Sequence, residues 1–207
     1  MIRNLKYAFK YVSKKLVIDD KMYRIVTVED KVRVPPTKLG LNVHEAVYNS
    51  IAEQMEGMLE PKLGIVLSVV DIVNIGEGKI VAGNPGVFYN TTFKLLAFKP
   101  EMNELVNGEV IDNTEFGSFV RMGAIDGLIH ISQIMDDFVS FDDRNSVFLG
   151  RESKRTLKEK DKVKARIISV SFTGSEQNKI GLTMRQTGLG NLNWIADEKK
   201  KTKKAKE

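Results

Sequence analysis

Cysteine is absent from the 207 residues, and histidine occurs only as His44 and His130. Disulfides, thiol nucleophiles and Cys-ligated zinc or iron–sulfur centres are thereby excluded, and two imidazoles are too few for a His-rich metal centre. No apolar run approaches the ~18 residues that a membrane span needs. The first 21 residues are broken by lysine every few positions, so they contain no secretory h-region. These absences lead to the expectation of a cytoplasmic chain that works off the membrane, without a metal or other cofactor.

What is present is unevenly spread. The formal net charge is +5, but residues 1–21 contribute +4 and the tail from Asp197 contributes +3, leaving residues 22–196 at −2. The basic pI belongs to the two ends, so charge alone does not make the body a nucleic-acid binder. A hydrophobic content of 42% excludes a wholly disordered chain. The length suits one large domain or two of roughly 80 to 100 residues.

In the leader, Ile2, Leu5, Phe9, Val12 and Leu16 recur at three- and four-residue steps between lysines, the spacing of a short basic amphipathic helix. A strand pattern starts directly after Met22, which favours reading 1–21 as an extension upstream of the working protein's start. Residues 22–100 then read as a strand from Tyr23 stopping at Glu29-Asp30 and a second short strand ending at Pro35-Pro36. A helix follows, capped by Asn42, with Val43, Val47, Ile51, Met55 and Leu59 on one face. Gly64 to Ile75 is strand-like, Gly76-Glu77-Gly78 and Gly83-Asn84-Pro85-Gly86 read as turns, and Val87 to Phe98 is the last strand. This order predicts a small α+β domain with one antiparallel sheet.

Residues 101–187 have a different grammar, with strands expected at Glu104–Asn113, Gly117–Met122, Leu128–Ile131, Lys162–Ser171 and Lys179–Met184. Five strands with a long, loop-like insertion, Gln133 to Asp161, between the third and fourth give the outline of an OB barrel. Residues 101–143 hold Arg121 against ten acids, whereas 144–166 hold nine Lys or Arg against three acids, so positive charge gathers near the fourth strand. Residues 188–207 form a Lys-rich tail in which no apolar anchor follows Trp194, and disorder is expected there.

Phe116 and Phe119 differ in strand parity and share a face only if Gly117 permits a bulge. Val120, Leu128 and Ile129 would then fill the barrel, with Phe116, Phe119 and His130 outward as a platform for unstacked bases. The alternative for any one ring is ordinary barrel packing.

The run from Gly108 to Ser132, with its Phe116-Gly-Ser-Phe-Val120 and Gly127-Leu-Ile-His-Ile-Ser132 elements, is joined by Lys162 to Val170 and Lys179 to Arg185. Together they resemble the RNA-binding OB fold first named from ribosomal protein S-one. That resemblance implies stacking roles for Phe116, Phe119 and His130, and RNA backbone contacts near Lys164 and Lys179. It departs at Ser171, where many members have Asp, and in the longer turn Phe172 to Asn178. Met22 to Pro36, Leu59 to Lys62, Gly64 to Ser68 and Phe88 to Phe93, followed by this OB unit, are similar to the E-prime subunits of archaeal DNA-directed RNA polymerase. The resemblance implies a truncated RNP-like N-terminal domain docking on the RNA polymerase core, a heterodimer with the small helical F-type subunit of the polymerase, and capture of emerging single-stranded RNA. An RNA-binding adaptor of translation initiation or of RNA degradation would use the same OB module.

No catalytic residue is identified. Asp136-Asp137 and Asp142-Asp143 are candidates for a two-metal nuclease site, but they lack a third fixed acid and are expected to be solvated loop residues. His44 has no nucleophile pattern beside it and is expected on the surface or facing a partner. The glycines of 76–86 lack the Gly-Lys-Ser/Thr ending of a phosphate-binding loop.

Overall fold

The computed structural model describes residues 10–11, 16–17, 22–172 and 179–204. The chain divides into two compact units, Met1–Lys99 and Pro100–Glu207.

In the first unit, strands β1 (Lys10–Tyr11) and β2 (Leu16–Val17) pair with β3 (Tyr23–Val34). These four leader residues are therefore extended rather than helical, and the rest of the expected leader helix lies outside the described residues. Helix α1 (Val43–Met55), β4 (Leu59–Glu60), β5 (Gly64–Val81) and β6 (Asn84–Phe98) complete the unit, with sheet order β1-β3-β6-β5-β4 and all pairings antiparallel. Asn42 caps α1 as expected, its side chain accepting from the His44 N–H at 3.0 Å. Ala46, Val47, Ile51 and Met55 are buried against Val28, Val32, Val66, Phe93 and Leu95 of the sheet. Burial of each large apolar side chain there contributes ~1.5–3 kcal/mol.

Two expected breaks are not breaks. Glu29 and Asp30 stay in the ladder opposite Thr92 and Thr91, making β3 one twelve-residue strand instead of two short ones. Gly76 and Gly78 lie inside β5, where the register with β6 shifts between Ile75 and Gly78. A Cβ on Gly76 would meet the Asn90 carbonyl oxygen at 2.9 Å, and one on Gly78 would meet the Tyr89 ring at 2.9 Å. Close cross-strand approach, rather than chain reversal, is what these glycines permit. The reversal occurs at Gly83, which has φ +78°.

The second unit contains β7 (Leu105–Thr114), β8 (Gly117–Arg121), β9 (Asp126–His130), β10 (Val139–Asp142), β11 (Val147–Gly150), β12 (Thr156–Leu157), β13 (Lys162–Ser171), β14 (Lys179–Thr183), β15 (Gly190–Asn191) and helix α2 (Leu192–Lys204). Strands β14-β9-β8-β7-β13 neighbour one another, and β13 pairs back to β14, closing a five-stranded barrel. Among the described residues of the barrel, only the β9–β14 pairing is parallel. The expected α+β fold class, an α+β unit followed by a five-stranded OB barrel, describes this architecture. Val106, Val120, Ile129, Ala165, Ile167 and Leu182 are buried in the barrel.

The insertion is not simply a loop. Strands β10, β11 and β12 form a small antiparallel sheet in which Phe148 and Leu157 are buried and the Phe141 and Phe148 rings lie 5.0 Å apart. Buried Asn113 of β7 ties this sheet to the barrel, its Nδ2 donating to the Ser146 carbonyl at 2.8 Å.

The tail is also more ordered than its composition suggests, since α2 extends to Lys204. Asn191 Oδ1 accepts from the Asn193 N–H at 2.9 Å at the helix start. Arg155 holds the helix twice, lying 5.6 Å from the Trp194 ring and 2.6 Å from Glu198 Oε1. Trp194 and Glu198 are four residues apart and so share a helix face. Anchorage by Arg155, together with the close packing of the Trp194 ring against Gly190, is what the expectation of disorder missed.

Candidate nucleic-acid interface

Alternation along β8 buries Ser118 and Val120 and turns Phe119 and Arg121 outward; on β9, Ile129 is buried while Leu128 and His130 face out. Phe119 lies opposite Leu128, Gly117 opposite His130, and Arg121 opposite Asp126. Leu128 thus joins the outer face beside Phe119, correcting its expected place inside the barrel. An exposed ion pair, Arg121 Nε to Asp126 Oδ1 at 3.3 Å, closes one end of this face.

Phe116 reaches the same neighbourhood by a different route from the one expected. It precedes β8, in the turn after Thr114, and no bulge falls at Gly117. The irregularity is across the ladder, between Val110 and Asp112 of β7. The turn is pinned from both sides: Thr114 Oγ1 donates to the Gly117 carbonyl at 3.0 Å, and the Ile131 N–H donates to the Phe116 carbonyl at 3.0 Å. The Phe116 and Phe119 ring centroids are 5.9 Å apart with the planes at 90°, an edge-to-face pair. Phe116 is 47% exposed, too open for a barrel-core residue. Gly117 lets the start of β8 lie close against β9, because a Cβ there would collide with the Ile129 carbonyl oxygen.

His130 ends β9 and caps the short turn Ile131–Gln133. Its Nδ1 accepts from the Ser132 N–H at 3.3 Å and lies 2.9 Å from Ser132 Oγ. The ring is exposed, so it offers a π face and a ring nitrogen for hydrogen bonding. Three rings on neighbouring segments, with Leu128 beside them, make an outward apolar surface edged by hydrogen-bonding groups. Such a surface can stack unpaired bases of any identity.

The two lysines are placed differently. Lys164 lies opposite Asn107, five residues before Asp112, which is the β7 partner of Phe119. That separation is roughly 15 Å along the strand, so Lys164 is not part of the ring cluster. Lys179 opens β14 two residues before Gly181, which pairs with Leu128. The turn between β13 and β14, from 173 to 178, lies outside the described residues.

Three of the four aspartates considered as metal ligands have other partners. Arg185 Nε and a terminal guanidinium nitrogen each lie 2.8 Å from Asp136 Oδ1. Asp137 accepts from the N–H groups of Glu152 and Ser153 and from Ser153 Oγ at 2.7 Å. Those donors pull its carboxyl down to about 2 from an ordinary 3.8, chiefly through Ser153. Asp142 accepts from Asn145 Nδ2 and from the Arg144 N–H, which lowers its pKa as well. Among the described residues no three acidic or imidazole groups cluster as a metal site. Sequence reasoning missed the structural task of Asp137, whose donors are fifteen and sixteen residues away.

Comparison with known proteins agrees with this division. Residues 29–85 match the model of the SHS2 domain found in the N terminus of Rpb7p/Rpc25p/MJ0397, and residues 99–184 match the S1 RNA binding domain. DNA-directed RNA polymerase subunit Rpo7 of Saccharolobus shibatae is 36% identical over 180 residues, covering 86% of this chain and all of that protein. The Rpo7 of Sulfolobus acidocaldarius is 34% identical, over 88% of this chain and all of its own length. A more distant relative, RNA polymerase II subunit rpb7 of Dictyostelium discoideum, is 22% identical over 82% of this chain and 98% of that protein. With such identity over the whole length of its archaeal relatives, the chain belongs to the Rpo7 (E-prime) family of DNA-directed RNA polymerase subunits.

Proposed function

We propose that this chain is a non-catalytic subunit of a cytoplasmic DNA-directed RNA polymerase that holds emerging single-stranded RNA on the outer face of its barrel. In this reading it forms the stalk with the small helical F-type subunit and docks on the polymerase core through its N-terminal unit. The edge-to-face Phe116–Phe119 pair beside exposed His130 carries the RNA-binding part. An aromatic surface on an S1-type barrel suits bases taken out of a helix. Stacking would hold the bases, while Lys164 and Lys179 would meet phosphates along the strand on either side of the rings. Asp136, Asp137 and Asp142 are engaged in structural hydrogen bonds and an ion pair, which suits a subunit that supplies binding and leaves phosphoryl transfer to the rest of the enzyme.

Affinity capture of the tagged full chain from its native cells tests the assignment. The expected eluate contains polymerase core subunits and the F-type subunit, the latter in a one-to-one complex that persists at nanomolar concentration, as for interfaces of ~2,000 Å² or more. An eluate dominated by ribosomal proteins or by exoribonuclease subunits would replace this reading with an adaptor role in translation initiation or RNA degradation.

A further inference from the structure

Beyond His130 the outer surface does not end. The turn that His130 caps leads into a groove of about 500 Å³ between the barrel and the inserted sheet, bordered by Ser132, Asp136, Phe138 and Arg185. Asp136 and Arg185 also border the next recess, which is lined by Arg155 and Trp194 at the foot of α2. Phe138 is 74% exposed, the most open phenylalanine among the described residues, although the adjoining chain is firmly held. Its carbonyl accepts from the Arg151 N–H at 2.9 Å, and Asp137 before it is clamped to Ser153. An aromatic ring on rigid backbone at the rim of a groove loses little freedom when something stacks on it.

The groove is lined by three carboxylates, Asp136, Asp137 and Glu152, against Arg185, so bases rather than phosphates would face it, and two of the three acids are already engaged. Asp136 is paired with Arg185, Asp137 with backbone N–H groups, and Glu198 with Arg155. At the far end Lys199 and Lys200 are exposed, and Lys200 makes only a loose, open ion pair of 3.6 Å with Asp197.

We infer that the single-stranded RNA path continues from the Phe116–Phe119–His130 platform along this groove, with Phe138 as a second stacking station and Lys199 and Lys200 of α2 as phosphate contacts at its exit. The inference rests on the platform reading above and extends it. A short RNA occupies the platform alone, whereas a longer one spans platform, Phe138 and α2.

The test compares a uridine tetranucleotide with a uridine 16-mer on the full chain, a range of lengths typical for OB folds. Phe138→Ala should weaken the 16-mer roughly fivefold or more while leaving the tetranucleotide unchanged, since one lost stack is worth at least that factor. Replacing Lys199 and Lys200 by Gln should flatten the salt dependence for the 16-mer only, by about 0.7 or less in slope per lysine. Melting temperatures should be unmoved, because all three side chains are exposed. If Phe138→Ala binds the 16-mer like wild type while Phe116→Ala weakens both RNAs, the extended path is wrong and the platform stands. If Phe116→Ala weakens neither RNA, the platform itself fails, and a Phe138 effect common to both lengths would place the primary site in the groove.

Discussion

At the scale of single residues, the glycine between the two platform phenylalanines carries the most consequence. A methyl group on Gly117 would collide with the β9 backbone, at the Ile129 carbonyl and the His130 Cα, which a flexible side chain could have relieved and a strand cannot. Gly117→Ala should therefore cost ~1–3 kcal/mol through overpacking, visible as a lower melting temperature, and should weaken RNA binding through the displaced rings. A Gly117→Ala protein that melts and binds like wild type would mean that β8 and β9 are not in this register. The need for a special residue at 117 was legible in the sequence, but the mechanism was not. Parity reasoning required a bulge at the glycine, whereas Phe116 sits in the turn and the bulge lies across the ladder in β7. Leu128 was misplaced inside the barrel for a related reason: two consecutive apolar residues, Leu128 and Ile129, cannot both face inward on a regular strand.

At the scale of elements, Asp137 clamps the segment before β10 to the turn after β11 within the insertion, and that makes its acid response specific. The folded carboxyl titrates at about 2 against an ordinary 3.8. A depressed carboxylate pKa contributes stability that is fully present above the ordinary value and is lost as pH falls through the folded one, here between about pH 4 and pH 2. The amide signals of Glu152 and Ser153 should accordingly shift with a midpoint well below 4, and the Asp137→Asn protein should lack that transition. A midpoint near 4 would show that the clamp is not formed in solution. Elements announced by local pattern were readable: Asn42 capping α1, the Val47, Ile51 and Met55 part of that helix's apolar face, and the five barrel strands, whereas Val43 is exposed and Leu59, expected on the same face, lies in β4. Those made by distant polar contacts were not. The α2 helix looked like a solvated lysine run because its anchors are Arg155 and Gly190, the latter bare of a side chain where the Trp194 indole packs. In the same way β3 runs through Glu29-Asp30 because the β6 ladder supplies backbone partners that outweigh the poor strand preference of the acids.

At the scale of the molecule, an SHS2 unit and an S1 barrel stand in one chain that matches Rpo7 relatives along their whole length, and the chemistry readable on the surface is that of binding. In the proposed reading, outward aromatic rings hold the bases of the RNA on the barrel and lysines add a salt-dependent contact to its phosphates. The most direct measurement is a salt titration of single-stranded RNA affinity for wild type, Phe116→Ala, Phe119→Ala and Lys164→Gln, with the melting temperature of each. Loss of a stacking ring should cost ~1–3 kcal/mol of binding with the salt slope nearly unchanged, because stacking releases no counterions. Removing a phosphate-contacting lysine should instead lower the slope by about 0.7 or less with little effect at high salt. Phe116, exposed in its turn, should show the binding loss with an unchanged melting temperature. A stable Phe116→Ala protein with wild-type RNA affinity at every salt concentration would contradict the account.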